Sequence, residues 1–191
     1  MGELLRGPSA PRARLRELLA DGSGPLLAPG AYDALSARLV EEAGFDVVYM
    51  TGFGTTASLI GRPDVGLLSG AEMIDNARRM VAAVDMPVIA DADTGYGNAI
   101  NVIRTVENYE SAGLAAMHIE DQVSPKRCGH VAGKVIVSLD EAVGKLRAAL
   151  DARRDKDFLI IARTDAVAAA GAGFDEAVRR GKAFAQAGAD M

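Results

Sequence analysis

The chain has 191 residues, of which 49% are apolar and 25% are charged, so its composition is that of a folded domain and not of a disordered segment. Its 21 basic and 26 acidic residues give a net charge of −5, which argues against nucleic acid as a partner because most of the surface would repel phosphate groups. The single cysteine excludes an intrachain disulfide, and no apolar run is long enough for a membrane span or a secretory signal. We therefore expect a cytoplasmic protein with no membrane partner.

Predicted helices and strands alternate along the chain. Leucines at helical spacing predict an N-terminal helix over about 11–20, and a short strand follows at 26–28. Further apolar strands are predicted at 46–50, 87–90, 115–119 and 158–162. Capping residues and apolar periodicity predict helices over about 33–43, 69–84, 98–112, 138–153 and 175–187. The glycine-rich segment after the second strand is predicted to be a loop.

This order of elements predicts an α/β fold. Strand followed by helix, repeated along the chain, gives a parallel sheet with right-handed crossovers. A barrel and an open doubly wound sheet both satisfy the order, but polar residues at the carboxyl ends of successive strands favour a TIM-type barrel. A complete barrel needs eight strands and about 250 residues. We therefore expect one incomplete barrel domain over 1–191, with about five βα units, that is either a piece of a larger barrel or a sheet closed by a partner chain.

Carboxylates follow two neighbouring strands of the predicted sheet. Asp91 and Asp93 follow the strand at 87–90, and Glu120 follows the strand at 115–119. Carboxylates crowded at one edge repel each other unless a cation neutralises them, and oxygen ligands without His or Cys suit Mg²⁺. Strand-end aspartates can also simply cap loops, but for the group as a whole we favour a metal site.

The only cysteine lies in a basic loop after the same strand, in the run KRCGH at 126–130. A lone cysteine is usually a small buried apolar residue. Lys126, His130 and the intervening arginine should instead make Cys128 reactive, and Gly129 lets the backbone turn tightly between thiol and imidazole. His118 lies inside a strand, and we interpret it as a packing residue.

The segment GFGTTA at 52–57 matches a dinucleotide-binding pattern, but it follows the second strand and lacks the acidic residue that would contact a ribose. Its glycines more plausibly let backbone amides approach a small anion. Arg163, at the end of the fifth strand, could add positive charge to the same anion or pair with the nearby carboxylates.

The chain resembles the isocitrate lyase / phosphoenolpyruvate mutase superfamily over about 25–191, in four segments with the family's order and spacing: PGAYDALSARLVEEAGFDVVYMTGFG, ADADTGYGN, IEDQVSPKRCGH and ARTDA. The resemblance implies a (β/α)₈ barrel, a homotetramer whose neighbouring subunits exchange their last helices, and a Mg²⁺ cofactor with Mn²⁺ as an alternative. It implies that Asp91 is the metal ligand, that Asp93 and Glu120 hold metal-bound waters, and that Asp64 belongs to the same polar cluster.

The resemblance also implies roles in binding a small carboxylate substrate. The backbone at Thr51, Gly52 and Phe53, together with Gly129 and the Arg163 side chain, would hold the substrate. Thr51 and Phe53 stand where many relatives have serine and a smaller residue, which leaves the size of the pocket open.

The cysteine selects a branch of the superfamily, because phosphonomutases typically carry asparagine at that position. The closest resemblance is to methylisocitrate and 2,3-dimethylmalate lyases, which implies cleavage of a 2-hydroxy di- or tricarboxylate to pyruvate or a similar oxoacid. Cys128 would protonate the leaving fragment, Lys126 and His130 would tune it, and Tyr49 would handle the hydroxyl proton unless it only packs.

Two other interpretations stay open. An enzyme with the same barrel could hydrolyse or decarboxylate oxaloacetate, or rearrange a phosphonate. The family's later glutamate and second carboxylate-binding residues are absent from the sequence up to Met191, so a non-catalytic fragment stabilised by oligomerisation is the alternative from another class.

Overall fold

The computed structural model describes residues 9–22 and 24–191. The N-terminal residues 1–8, for which the sequence predicts no secretory signal, lie outside the described residues. In chain order the elements are α1 Ser9–Ala20, β1 Gly30–Ala31, α2 Ala34–Glu42, β2 Val48–Met50, α3 Gly52–Ile60, α4 Gly70–Ala83, β3 Val88–Asp91, α5 Ala99–Ser111, β4 Ala116–Glu120, α6 Leu139–Ala152, β5 Leu159–Arg163, a 3₁₀ turn Ala166–Ala168 and α7 Phe174–Ala187.

The strands form one parallel sheet in the order β1-β2-β3-β4-β5. Each strand lies beside its predecessor in sequence, which is the order of a barrel wall, whereas a doubly wound sheet reverses direction at a switch point. The register pairs Asp91 with His118 and Glu120 with Arg163. Hydrogen bonding alone therefore brings these polar residues together in pairs across neighbouring strands.

The main core lies between the sheet and its helices. Met50, Met80, Tyr109, Phe158 and Ile160 are fully buried there. Burial of each large apolar side chain contributes roughly 1.5–3 kcal/mol. Because side chains alternate along a strand, the residues between these core positions point to the opposite face of the sheet.

Helix α1 packs at the amino ends of the strands. Leu15 is fully buried against Val47, Ala115, Ala116 and Leu159. The guanidinium of Arg12, in the same helix, donates to the carbonyl of Leu114 at 2.8 Å and pairs with Asp155 at 2.7 Å. The helix therefore occupies the end of the sheet away from the polar strand ends.

Four of the helices begin at the side-chain caps that the sequence predicts. The cap residues accept a hydrogen bond from a backbone amide in the first turn of α2, α4, α5 and α6; they are Asp33, Ser69, Asn98 and Ser138. Each such cap stabilises its helix by about 1 kcal/mol.

The first strand is not where the sequence placed it. The prediction was 26–28, but Leu26 and Ala28 pack against the small cluster under α1 without pairing, and β1 is Gly30–Ala31. Pairing with β2 starts at the carbonyl of Pro29, which accepts from the Tyr49 amide at 2.9 Å. The apolar run at 26–28 indicates the residues that pack under α1, whereas the residues that pair with β2 follow it in sequence.

The predicted glycine-rich loop after β2 is also wrong, because the segment forms helix α3. Thr51 caps it by accepting from the Gly54 amide at 3.3 Å, and Gly61 ends it in a left-handed conformation at φ 61°. Glycine at the start is required by space: a Cβ on Gly52 would lie 2.5 Å from the Asp91 carboxylate.

No helix in the described part of the chain is long and apolar enough to cross a membrane.

Candidate active site

Polar residues gather at the carboxyl ends of the strands. We refer to Asp64, Asp91, Asp93 and Glu120 as the acidic rim. All four are buried, with at most 8% of any one exposed. Four buried carboxylates at one edge repel each other unless positive charge lies nearby. Lys126 and Arg163 supply part of that charge.

Asp91, the last residue of β3, is surrounded by donors. Its Oδ1 accepts from the Asp93 amide at 2.9 Å and lies 3.5 Å from His118 Nδ1, and its Oδ2 accepts from the Gly52 amide at 3.3 Å. Burial alone would raise the pKa of this carboxyl, but His118 and the charge of Lys126 outweigh burial and hold the pKa well below its usual value. Asp91 is therefore ionised.

Asp93 is less well satisfied. It sits in the loop after β3 with a left-handed backbone, φ 46°, which aspartate tolerates better than most residues. Lys126 Nζ lies 2.8 Å from its Oδ1 and offsets part of its charge. Burial and the Asp91 charge raise the pKa of Asp93 to about 6.

Glu120 ends β4 and faces Arg163 across the strand pair, with Arg163 Nη1 3.4 Å from Glu120 Oε2. Arg163 also donates to Asp165 at 2.8 Å, so its charge is divided between two carboxylates. Burial, followed by the charge of Asp91, raises the pKa of Glu120 to about 9 even though Arg163 opposes the rise.

The acidic rim is suited to a divalent cation. Within residues 9–22 and 24–191, no three His, Cys, Asp or Glu side chains are already arranged as a metal site. The pKa values of Asp93 and Glu120 are nevertheless raised although Lys126 and Arg163 lie beside them, which is a sign of missing positive charge. A set of carboxylates without thiolate fits a hard cation such as Mg²⁺.

Lys126 lies with the acidic rim. Its ammonium donates to Asp64 Oδ2 at 2.6 Å and lies beside Asp93. Desolvation alone would lower the pKa of Lys126, but the charges of Asp93 and Asp91 raise it above its usual value. The recorded contacts of the ammonium are thus with carboxylates, and none supports direct tuning of the thiol.

The loop that carries the thiol closes over the same region. Cys128 Sγ lies 3.5 Å from His130 Nδ1, and the Cys128 amide donates to the backbone carbonyl of Asp64 at 3.0 Å. Gly129 packs directly against the guanidinium of Arg163, where an added Cβ would overlap Nη2. The structure therefore places the loop with the thiol and the imidazole against Arg163 and the backbone of Asp64.

His118, which the sequence indicates as a packing residue, is buried but also contacts two residues of the site. Its Nδ1 lies 3.1 Å from the Tyr49 hydroxyl and 3.5 Å from Asp91. Alternation along β4 could have revealed it, because His118 and Glu120 are two residues apart and share a face. Burial and the Asp91 charge raise the pKa of Tyr49, so the phenol is neutral.

Sequence reasoning missed Gln122, which is 1% exposed. Its Nε2 shares its two hydrogens among Glu120 at 3.1 Å, Asp165 at 2.9 Å and the carbonyl of Arg127 at 2.8 Å, and its Oε1 accepts from the Arg127 amide. Gln122 thus ties the cysteine loop to the ends of β4 and β5. No local pattern in the sequence marks this role.

Thr51, Gly52 and Phe53 form the start of α3, beside Asp91. Helix amino termini favour anions through free amides and the helix dipole. The Gly52 amide already contacts Asp91, and Phe53 is 56% exposed. The backbone for which the sequence predicts anion binding is therefore a helix terminus beside Asp91.

A family model described as phosphoenolpyruvate phosphomutase matches residues 15–191. The chain is 54% identical to a 2,3-dimethylmalate lyase of Eubacterium barkeri over 179 residues, which are 94% of this chain and 61% of that protein. It belongs to the PEP mutase/isocitrate lyase superfamily. A 2-methylisocitrate lyase of Shewanella oneidensis is 44% identical over 93% of this chain and 60% of its own length.

Solved structures of this superfamily match the fold. A crystal structure of 2,3-dimethylmalate lyase gives a TM-score of 0.88 at 48% identity, covering 94% of this chain and 60% of that one. An oxaloacetate acetylhydrolase structure gives 0.90 at 46% identity, covering 97% and 63%. The chain thus spans about three fifths of these relatives. The superfamily and the barrel fold class, here with five βα units, are confirmed.

Proposed function

We propose that this chain is part of a Mg²⁺-dependent carbon–carbon lyase and that it carries the acidic rim and the thiol of the active site. Its substrate would be a 2-hydroxy di- or tricarboxylate of the 2-alkylmalate or 2-methylisocitrate type. The observation that carries the proposal is the contact between Cys128 and His130 in a loop packed on Arg163 beside the acidic rim. The identity of 54% to a protein named 2,3-dimethylmalate lyase supports the same chemistry.

The cation site would use Asp91, Asp93 and Glu120, and Asp64 would remain paired with Lys126. The raised pKa values of Asp93 and Glu120 support this assignment. When bound, Mg²⁺ would supply Lewis acidity at the hydroxyl and carboxylate oxygens of the substrate, and Mn²⁺ is the natural substitute.

The substrate carboxylate would be held by Arg163 and the amino terminus of α3. Arg163 already pairs with two carboxylates, so a third one must compete for the planar guanidinium or displace Asp165 from it. Gly129 leaves the guanidinium in place because it has no side chain to push it away.

Cleavage needs one proton to leave and another to arrive. The hydroxyl proton would leave toward Tyr49 and His118, which lie 3.1 Å apart, with Tyr49 acting as a neutral relay because its pKa is raised. As the C2–O bond becomes a carbonyl, the electrons of the C2–C3 bond pass to C3. Cys128 would give its S–H proton to C3, and the proton released from the hydroxyl would restore the thiol through His130.

A second candidate is hydrolysis or decarboxylation of oxaloacetate, favoured by the match to oxaloacetate acetylhydrolase over 97% of this chain. Phosphonate rearrangement is the third, because a structure named phosphoenolpyruvate phosphomutase matches with a TM-score of 0.89 at 46% identity. We rank phosphonate rearrangement below the lyase because Cys128 supplies the acid that a carbon leaving group needs. We rank the oxaloacetate reactions below it because the identity to 2,3-dimethylmalate lyase, 54%, is higher than the 46% to oxaloacetate acetylhydrolase.

We also propose a cytoplasmic homo-oligomer, a tetramer by family resemblance. Leu35 and Leu39 of α2 are 69% and 57% exposed and lie one helical turn apart, which supports an interface on this helix. Mass measurement in solution tests the assembly, and an inactive oligomer would favour the non-catalytic fragment.

The decisive assay is release of pyruvate from 2,3-dimethylmalate and 2-methylisocitrate, and of oxalate or pyruvate from oxaloacetate, in the presence of Mg²⁺. We expect release from a 2-hydroxy acid, and a fall of about 10²–10⁴ in kcat for Cys128→Ser because the proton donor is lost. Val131→Ala, in the same loop and 46% exposed, is the control and should retain activity. Full activity of the serine variant would contradict the proposed proton donor.

A further inference from the structure

Lys134 lies six residues after the cysteine and is only 3% exposed. Its Nζ donates to the carbonyl of Gly129 at 2.6 Å and to that of Val131 at 3.1 Å. The Val131 amide in turn donates to the carbonyl of Cys128 at 2.8 Å. The ammonium therefore bonds to the backbone on both sides of His130.

The environment of this ammonium is unusual for a buried lysine. Among the described residues its recorded partners are two backbone carbonyls, whereas Lys126 in the same loop meets two carboxylates. Burying an ammonium group costs several kcal/mol, and neutral carbonyls offset this less than a carboxylate does. An apolar side chain of the same length would stabilise the fold at lower cost, so stability alone does not account for Lys134.

The backbone of Lys134 makes a second connection. Its carbonyl accepts from the Ala170 amide at 3.2 Å, and it forms a parallel bridge with Ala169. These alanines lie in the segment that follows β5, and Arg163 at the end of β5 packs on Gly129. Lys134 thus joins the cysteine loop to the strand that supplies the guanidinium.

We propose that Lys134 is a positioning residue that holds the turn Cys128–His130 closed, so that thiol and imidazole stay in contact beside Arg163. Its consequence for turnover rests on the proposed lyase function. The positioning itself can be measured without any turnover, because Cys128 is the only cysteine and a thiol reagent reports on it alone.

The experiment compares Lys134→Met, which removes the donors but keeps an unbranched chain, with Lys134→Arg, which restores them. Lys182→Met, at an exposed position of α7, is the control. Alkylation of each folded protein by iodoacetamide is timed, and amide exchange is followed in the peptide 127–133. Cys128 is only 8% exposed in the closed turn, so opening the turn admits the reagent to the thiol. We expect the methionine variant to react at least about tenfold faster, the effect of losing a hydrogen bond to a charged group, and to exchange faster in this peptide. The arginine variant should lie near the wild type.

Equal alkylation rates for Lys134→Met and Lys182→Met would overturn the proposal. Loss of exchange protection across β3 and β4 would also overturn it, because Lys134 would then support the whole fold. With a turnover assay, we expect a lower kcat and an unchanged KM for the methionine variant. If the alkylation rates of the variants differ as expected while neither the wild type nor any variant releases pyruvate, that result contradicts the lyase function and supports the positioning role.

Discussion

Gly129 marks the point where the cysteine loop meets Arg163, and this contact tolerates no side chain. A Cβ at this position would overlap Arg163 Nη2. We assign Arg163, at the end of β5, to the substrate carboxylate. The position of its guanidinium therefore depends on the lack of a side chain at Gly129, in a different segment of the chain.

Gly129→Ala should displace the guanidinium and weaken carboxylate binding. We expect KM to rise about tenfold, the cost of one misplaced charge-assisted hydrogen bond, with a smaller effect on kcat. The matched control is Gly144→Ala in α6, where an added Cβ meets nothing within 4 Å. That change should leave KM alone and stabilise the helix by about 0.5–1 kcal/mol. Unchanged KM in the Gly129 variant would show that Arg163 does not bind the substrate.

Site residues could be predicted from the sequence where a short segment of the chain carries the whole signal. The crowded carboxylates and the Cys-Gly-His run could be identified because parallel strand ends meet at one edge. His118 shares a face of β4 with Glu120, so alternation indicates it, but its contact with Tyr49 depends on how distant strands are paired. Gln122 could not be identified, because its contact with Asp165, 43 residues away in sequence, leaves no spacing pattern.

At the scale of elements, Asp121 joins β4, β5 and α7. Its carboxylate accepts from the Thr164 hydroxyl at 2.6 Å, the Asp165 amide at 2.9 Å and Arg180 Nη1 at 3.0 Å. Asp121 and Arg180 are each 4% exposed. The carboxylate that the sequence placed beside Glu120 is therefore part of the framework that aligns the site.

Arg180→Met should leave the Asp121 carboxylate buried without its cation. Breaking a buried pair in this way costs about 3–5 kcal/mol of unfolding free energy, measured by denaturant titration. Arg179→Met is the control. Arg179 is the neighbouring residue, its side chain is 60% exposed, and it also pairs with Glu176. A surface pair contributes at most about 1 kcal/mol. Similar losses in both variants would mean that the Asp121 contact does not stabilise the fold.

Elements were predictable where capping residues and long apolar runs agree, as for α4, α5 and β4. Helix α3 was missed because glycines at its start lower helix propensity, yet the Thr51 cap and the tight fit of Gly52 against Asp91 override that preference. Strand β1 was missed because its two residues are too few to show a pattern.

At the scale of the whole molecule, the acidic rim should make stability depend on pH and on Mg²⁺. The pKa of Glu120 rises from 4.5 to about 9 on folding, and that of Asp93 from 3.8 to about 6. The folded state then binds more protons than the unfolded state, so the stabilisation is complete below the unfolded pKa values and is lost as pH rises toward about 9.

We therefore expect the metal-free melting temperature to fall between about pH 5 and pH 9, and Mg²⁺ to reduce the fall. Glu120→Gln should flatten the dependence because its amide does not titrate, and Glu17→Gln, at an exposed position of α1, should not. A melting temperature that rises over this range in the wild type would contradict the raised pKa values.

The central claim is that Asp91, Asp93 and Glu120 gather one divalent cation beside Cys128. Calorimetric titration of the metal-free protein with Mg²⁺ tests it most directly. We expect saturable binding of one ion, weakened at least about tenfold in Asp91→Asn and Asp93→Asn through loss of a charged ligand, and unchanged in Asp151→Asn at an exposed position of α6. Absence of saturable binding in the wild type, or equal affinity in all three variants, would contradict the account.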